Sequence, residues 1–175
     1  KINFTDNVQL LKNSNVFIIT VPTPVKKNKT PDLSYLKNAS QIVGKCLKKS
    51  SIVIYESTVF PGCTEEFCSP ILEKTSGLKL NKDFFLGYSP ERINPGVNIH
   101  KLPNIVKIVS GSNKYALDLI KKLYSKIIKA GIHVTDKIKT AEAAKVIENI
   151  QRDINIALIN ECSVIFKKLN LDTSK

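Results

Sequence analysis

The chain has 175 residues, of which 42% are hydrophobic and 24% are charged, a balance that fits one α/β domain or a domain and part of a second. That composition excludes disordered, collagen-like and coiled-coil chains, and no apolar run or leader pattern indicates a membrane span or export, so we expect a cytoplasmic protein. The net charge of +12 comes almost wholly from scattered lysines, which favours general solubility over a nucleic-acid or anionic membrane surface.

Three strands are predicted in the first half of the chain, at residues 16–21, 51–55 and 84–88, because each is a short run rich in β-branched or aromatic residues. The first run has no polar alternation and is typical of a strand buried on both faces. Helices are predicted after the first strand, with Asp32 as N-cap, and after the second, at residues 61–74. Alternating strands and helices imply right-handed crossovers and therefore a parallel, doubly wound sheet.

The second half is predicted to add two strands and two helices. Strands at residues 105–109 and 132–134 flank a helix over about 113–130. No Gly or Pro occurs from residue 138 to about 169, and Thr135 and Asp136 supply capping groups, so one long helix is expected. This helix is apolar on two sides, which requires another domain or subunit to cover it. We therefore place a domain boundary near residue 136.

Candidate binding segments follow the first three strands, at residues 21–24, 56–58 and 89–92, because ligands of an open parallel sheet bind beyond the carboxyl ends of its strands. The first segment could simply end its strand and the second could form a turn, so both interpretations stay open. Glu91 beside Arg92 favours a functional pair. Arg92 and Arg152 are the two arginines of a lysine-rich chain, and a guanidinium binds carboxylate or phosphate in a bidentate manner.

On the long helix, the spacing of Lys145, Asn149 and Arg152 places them on one side. A solvated face is the simpler interpretation, but apolar residues continue this side further along the helix. The three polar groups could therefore line a covered crevice and bind a phosphorylated or oxyanionic ligand. The sequence contains no glycine-rich dinucleotide loop, and its four cysteines lack metal-ligand spacing, so no metal site is expected.

Four segments occur in order over nearly the whole chain. They are Val-Pro-Thr-Pro at 21–24, Glu-Ser-Thr-Val-Phe-Pro-Gly-Cys-Thr-Glu at 56–65, Tyr-Ser-Pro-Glu-Arg-Ile-Asn-Pro-Gly at 88–96, and Ala-Glu-Ala-Ala-Lys-Val-Ile-Glu-Asn at 141–149, with Arg152, Asn155, Ile156 and Ala157. Together they resemble the UDP-glucose/GDP-mannose dehydrogenase family of nucleotide-sugar 6-dehydrogenases. The resemblance implies that residues 1–135 are the second half of an NAD-binding, Rossmann-like domain and that residues 136–175 begin a central dimerisation domain.

The resemblance implies a two-step, NAD-dependent oxidation of a nucleotide sugar at C6, from alcohol to carboxylate, through a cysteine-linked thiohemiacetal and thioester. The implied catalytic residues are Thr58 near the nicotinamide, Glu91 as a base in thioester hydrolysis, and Lys145 with Asn149 at the sugar and its oxyanion. The implied cofactor contacts are Val21, Pro22, Thr23, Ser57 and Thr58. The implied substrate contacts are Glu91, Arg92, Ile93, Asn94, Lys145, Asn149 and Arg152.

The string Glu-Arg-Ile-Asn-Pro-Gly at 91–96 is similar to the branch that acts on UDP-N-acetylhexosamines for surface polysaccharides. Pro95 stands where the UDP-glucose branch usually has a second glutamate, although Val97 departs from the acidic residue often found in the favoured branch. UDP-glucose and UDP-N-acetylmannosamine 6-dehydrogenases remain alternatives, as do a non-catalytic α/β binding module and a nucleic-acid-binding domain. The resemblance also implies a homodimer through the long helix, with no nucleic-acid or membrane partner.

Several parts of the family pattern are missing from these residues. They are the glycine-rich βαβ unit, the ribose-binding acid, the segment with the nucleophilic cysteine and the C-terminal nucleotide-binding domain. Because the sequence also has no Met, we expect a segment of a longer polypeptide that is inactive on its own. Cys63 and Cys68 are expected to pack in the interior.

Overall fold

The structure is a computed structural model that describes residues 2–93 and 102–173, and within them five strands form one sheet in the order β1-β2-β3-β4-β5. The strands are β1 (Val16–Ile19), β2 (Ser51–Tyr55), β3 (Phe84–Tyr88), β4 (Lys107–Gly111) and β5 (Ile132–Val134). The α-helices are α1 (Ser34–Gly44), α2 (Ser69–Ser76), α3 (Lys114–Ser125) and α4 (Ile138–Lys168), with 3-10 turns at Val8–Asn13 and Leu102–Asn104 and a π-helical turn at Cys63–Cys68.

The strand pairings confirm the predicted parallel α/β sheet for its first three strands. β1 pairs with β2, β2 with β3, and β4 with β5, all in parallel. β4 runs antiparallel to β3, with Tyr88 opposite Ser110, a reversal that the sequence pattern does not predict. A parallel strand needs a crossover that returns the chain to the starting edge. The described part of the connection before β4 holds only the Leu102–Asn104 turn, so the chain re-enters the sheet from the near edge.

Helices cover both faces of the sheet, and the burial of the β2 residues illustrates this arrangement. Its five residues are all buried. Val53 and Tyr55 belong to the core under α1 and α2, whereas Ile52 and Ile54 belong to the core under α3. A strand covered on both sides needs apolar residues at every position, in agreement with the unalternating run that predicts it.

The first strand departs from its prediction. Phe17 is buried, but Val16 and Ile18 are 42% and 46% exposed, so β1 is buried on one face only. The prediction of burial on both faces is wrong here because β1 is the edge strand and α3 does not reach across it. An apolar groove of about 350 Å³ lies between them, lined in part by Val16, Ile54 and Leu123.

Helix boundaries also differ from the predicted ones. The helix predicted at 61–74 begins with the π-helical turn Cys63–Cys68 and becomes α-helical at Ser69. Asp32 accepts the Ser34 N–H at 3.0 Å, but Leu33 occupies the N-cap of α1. The N-cap of α4 is Lys137 without a side-chain cap, so the predicted capping by Thr135 and Asp136 is wrong. Instead, the Thr135 hydroxyl donates to the Lys137 carbonyl.

The long helix α4 begins in the core and then leaves it. Its buried residues are Ile138, Ala141, Glu142 and Lys145, all within the first eight positions. Residues 153–161 are exposed without exception. Across the described ranges, no helix has the length and apolarity needed to span a membrane.

Candidate active site

The three segments predicted to bind ligands lie side by side at one edge of the sheet. Ser57 Oγ donates a 2.6 Å hydrogen bond to the carbonyl oxygen of Val21, joining the segments after β1 and β2. The Ser89 N–H donates to the Tyr55 carbonyl at 3.0 Å, which joins the segment after β3 to the end of β2. Parallel strands bring their carboxyl ends to a common edge, so segments distant in sequence become neighbours.

A cleft of about 280 Å³ lies between this edge and α4. Its lining residues are Thr23, Pro31, Thr58, Val59, Phe60, Val146, Asn149 and Ile150. Thr23 Oγ1 is buried and has no hydrogen-bond partner within residues 2–93 and 102–173. Buried hydroxyls in native proteins are nearly always satisfied. The cleft is therefore suited to a ligand with a polar group at Thr23, and the predicted cofactor contacts Thr23 and Thr58 share it with the predicted catalytic residue Asn149.

Next to the cleft, one carboxylate forms ion pairs with three cationic side chains. Glu148 Oε2 lies 2.8 Å from Arg92 Nη1 and 3.7 Å from Lys145 Nζ, and Glu148 Oε1 lies 3.0 Å from Arg152 Nη2. Three positive charges against one negative charge leave a local excess of positive charge, which favours an anionic ligand. The structure thus brings together three of the predicted substrate-binding residues. Glu148 was missed by the sequence reasoning, although its helical spacing of i+3 from Lys145 and i−4 from Arg152 is a usable signal.

The segment after β3 presents its two charged residues differently. Arg92 reaches α4, whereas Glu91 is exposed and its Oε1 accepts the N–H groups of Arg92 and Ile93 at 2.6 and 2.7 Å. Among the described residues the Glu91 carboxylate has no hydrogen bond or ion pair to α4. Ile93 is 41% exposed. Asn94, predicted to contact substrate, lies outside the described residues.

A second glutamate fixes α4 against the strand-end edge. Glu142 is fully buried, and its two carboxylate oxygens accept the N–H groups of Gly62 and Thr64 at 2.5 and 2.9 Å. Burial raises the pKa of Glu142 above its ordinary value, an effect opposed by these hydrogen bonds. These hydrogen bonds attach the start of the 63–76 helical segment to α4 at a position one helical turn before Lys145. Sequence reasoning missed this residue too, because its partners are distant along the chain.

The cysteines beside this contact are interior residues, in agreement with the sequence-based expectation. Cys63 and Cys68 are fully buried in the core under α1 and α2. A hydrogen bond with Cys68, together with burial, raises the pKa of the Cys63 thiol well above its ordinary range. Because the thiolate is the nucleophilic form, Cys63 is unsuited to covalent catalysis.

Comparisons with known proteins identify the family to which these residues belong. Residues 1–128 match the NAD binding domain of the UDP-glucose/GDP-mannose dehydrogenase family, and residues 139–175 match the central domain of the same family. The prediction of an NAD-binding α/β domain is therefore confirmed.

Similar proteins include the UDP-N-acetyl-D-glucosamine 6-dehydrogenase of Pseudomonas aeruginosa, 58% identical over 99% of this chain and 41% of that protein. The enzyme of the same name from Salmonella typhi is 55% identical over 98% of this chain and 40% of that protein. The chain thus spans about two fifths of the length of these relatives.

Solved structures share the fold. The UDP-D-ManNAc dehydrogenase of Pyrococcus horikoshii superposes with a TM-score of 0.90 at 39% identity, covering 97% of this chain and 40% of that one. A ternary complex of GDP-mannose dehydrogenase from Pseudomonas aeruginosa gives a TM-score of 0.86 at 27% identity, covering 98% and 40%. With a family domain matched over more than half of its length, the chain belongs to the UDP-glucose/GDP-mannose dehydrogenase family.

Proposed function

We propose that the chain is part of an NAD-dependent 6-dehydrogenase that oxidises the C6 hydroxyl of a UDP-N-acetylhexosamine to a carboxylate in two steps, for surface polysaccharide synthesis. The observation that carries this proposal is the strand-end cleft, in which Thr23, Thr58 and Asn149 meet beside the cations around Glu148. The names of the relatives at 58% and 55% identity support this substrate class. The activity belongs to the complete polypeptide, and the 175 residues alone are proposed to be inactive.

The proposed cofactor contacts are Val21, Pro22, Thr23, Ser57 and Thr58. NAD, when bound, accepts the hydride that each oxidation removes from C6. The chain's own contribution is a rigid edge, because the bond from Ser57 Oγ to the Val21 carbonyl fixes the first two segments against each other. The unpartnered Thr23 hydroxyl supplies a hydrogen-bonding group inside the cleft.

Lys145 and Asn149 are proposed to stabilise the oxyanion that develops at C6. Lys145 is 9% exposed, and its Nζ is 3.7 Å from Glu148, too far for a hydrogen bond. Its ammonium can therefore donate to a ligand oxygen without first breaking a hydrogen bond to that carboxylate. Arg92 and Arg152 present guanidinium groups suited to bidentate binding of phosphate oxygens.

Glu91 is proposed to act as the base that deprotonates water when the covalent intermediate is hydrolysed. Both of its backbone hydrogen bonds within residues 2–93 and 102–173 use Oε1, which leaves Oε2 to accept a proton. Ile93 and Asn94 belong to the proposed substrate contacts of the same loop.

The proposal extends to assembly and location. Because α4 exposes apolar residues on two sides beyond Asn149, a second copy of the chain is proposed to pack there, with residues 136–175 as the start of the dimerisation domain. A cytoplasmic location is proposed, since the reaction needs a compartment that supplies both NAD and a UDP-sugar.

The test is NADH formation by the complete polypeptide with UDP-N-acetylglucosamine, UDP-N-acetylgalactosamine, UDP-N-acetylmannosamine and UDP-glucose. We expect an N-acetylated substrate to be oxidised best. Asn149→Ala is expected to lower kcat by about 100-fold through loss of an oxyanion donor. Asn38→Ala, at an exposed position of α1, is the matched control and should leave kcat unchanged. No NADH with any of the four sugars, or equal effects of both variants, would contradict the proposal.

A further inference from the structure

A buried ionic cluster lies directly beneath the loop that carries Glu91. Lys107, the first residue of β4, is 1% exposed. Its Nζ lies 3.2 Å from Glu56 Oε1, 3.1 Å from the Pro90 carbonyl oxygen and 3.5 Å from the Ser89 carbonyl oxygen. An ammonium has three N–H donors, and three acceptors surround it here. All three N–H donors of Lys107 are therefore used within the cluster, and none is free to bind a ligand.

Tyr124 of α3 completes the cluster from the other side. Its hydroxyl donates to the same Glu56 Oε1 at 2.5 Å, and the Lys107 ammonium lies 5.4 Å from the centre of its ring. Burial, and then the bond to Glu56, raise the pKa of Tyr124 well above its ordinary value, so the phenol keeps its proton and remains a donor. Glu56 is thus held by two groups from two different elements.

The antiparallel direction of β4 is what places Lys107 at this edge. Tyr88, the last residue of β3, pairs with Ser110, so β4 begins at the edge where β3 ends and its first residue, Lys107, lies there. The bond from Ser89 Oγ to the Ile108 carbonyl, at 2.7 Å, follows the same course. In a parallel strand the first residue would lie at the opposite edge of the sheet, away from the strand-end cleft.

Stability alone does not account for such a cluster. Removing an ammonium and a carboxylate from water is costly, and apolar residues of similar volume often stabilise a core as well or better. Unlike apolar residues, the Lys107 ammonium donates hydrogen bonds to two backbone carbonyls and so fixes their positions. Those carbonyls belong to Ser89 and Pro90, the two residues before Glu91, and Pro90 has no N–H by which it could be held.

We propose that Lys107, oriented by Glu56 and Tyr124, is a positioning residue that fixes the direction in which Glu91 leaves the sheet. The inference rests on the proposed function, in which Glu91 is the base of the hydrolytic step. In this role Lys107 acts through the Ser89 and Pro90 carbonyls, to which its ammonium donates.

The kinetic test uses the complete polypeptide with Lys107→Met, which keeps an unbranched side chain and removes only the charged end group. We expect steady-state kcat to fall by about tenfold or more and KM for the UDP-sugar to fall with it, so that kcat/KM changes by less than about twofold. The first NADH formed per site should keep its rate, because Glu91 serves the later hydrolysis. Lys114→Met, exposed at the start of α3, is the control and should behave like the unchanged protein.

A double variant separates positioning from general damage. If Lys107 acts through Glu91, Lys107→Met/Glu91→Gln should be no slower than Glu91→Gln alone, because the group being positioned is already lost. Multiplicative losses in the double variant would overturn the proposal.

A second measurement does not depend on activity. The amides of Arg92 and Ile93 donate to Glu91 Oε1, so their hydrogen exchange reports on the loop. We expect exchange at both to accelerate in Lys107→Met while the Leu86 amide inside β3 is unchanged. Equal exchange in variant and unchanged protein would overturn the proposal.

If Lys107→Met fails to fold, Tyr124→Phe, which removes one hydroxyl, replaces it. We expect the exchange of the Arg92 and Ile93 amides to accelerate in Tyr124→Phe as well, but by less. Unchanged exchange in Tyr124→Phe would also overturn the proposal. A wild-type polypeptide that forms no NADH would contradict the proposed function, and hydrogen exchange would still decide the positioning role.

Discussion

The two halves of α4 have similar apolar content but different surroundings. In the first half, Ile138 and Ala141 are buried, and Glu142 and Glu148 bind backbone or side-chain donors from distant segments. In the second half, Ile154, Leu158 and Ile159 are each 58–59% exposed. The apolar pattern alone does not separate these regions. The difference lies in the carboxylates, which attach one half to its own chain and leave the other half open to a partner.

The largest expected effect comes from removing the hydrogen bonds that attach the first half of α4 to the rest of the chain. Glu142→Ala leaves the buried N–H groups of Gly62 and Thr64 without acceptors, and we expect it to lower the free energy of unfolding by about 3 kcal/mol. Urea denaturation measures the change. Glu161→Ala, at an exposed position of the second half, is the control, with an expected change within about 0.5 kcal/mol. Similar losses for both variants would remove the distinction between the halves.

The next effect concerns the second half. Ile154→Glu with Leu158→Glu places charge on the exposed apolar side, and we expect the proposed dimer of the complete polypeptide to dissociate at least about tenfold more readily, about 1.4 kcal/mol. Analytical ultracentrifugation gives the dissociation constant. Ile42→Glu, exposed on α1, should leave it unchanged. An unaltered constant in the α4 variant would show that a second copy packs elsewhere.

The coupling between Arg92 and Glu148 should be smaller, about 1 kcal/mol, because both side chains remain 26% exposed. A double-mutant cycle with Arg92→Ala and Glu148→Ala measures it by urea denaturation. The Lys139–Glu66 pair has a nearly equal separation of 2.7 Å but is 54% and 66% exposed. Its coupling energy should be lower than that of Arg92 and Glu148. Coupling that is equal in the two pairs would argue that burial near the cleft adds nothing.

The smallest effect is a dependence on pH. The raised pKa of Glu142 means that the folded protein keeps this proton to higher pH than the unfolded chain does. Its contribution to stability is therefore complete below the ordinary glutamate value of 4.5 and is lost as pH rises through the raised pKa. Glu142→Gln has no such proton, so the difference in unfolding free energy between the two proteins should shift with pH in favour of the variant. Parallel pH profiles would contradict this.

Much of the architecture could be predicted because it depends on local pattern. The unalternating apolar run of β2 and the absence of Gly and Pro over α4 predict elements that the structure contains. The meeting of the segments at 21–24, 56–58 and 89–92 could also be predicted, because parallel strands end at a common edge.

Other features depend on partners that local sequence does not reveal. Glu142 binds a residue 80 positions away, and Arg92 binds one 56 positions away. Lys107 is one of 27 basic residues, and its sequence context does not mark it as buried. The residue pattern of β4 is compatible with a parallel or an antiparallel strand, so its antiparallel direction could not be predicted. The exposure of Val16 and Ile18 likewise depends on which elements cover the sheet edge.

The carboxylate of Glu148, shared by three cations, also bears on how fast an anion is captured. The excess positive charge beside the cleft attracts negatively charged molecules over about 10 Å in about 0.1 M salt, and over only about 3 Å in about 1 M salt. The side chains of Arg92 and Lys145 are only 26% and 11% exposed, so contacts that an anion makes with them should be less screened. Ionic strength should therefore slow the encounter with a diphosphate while leaving its residence time nearly constant.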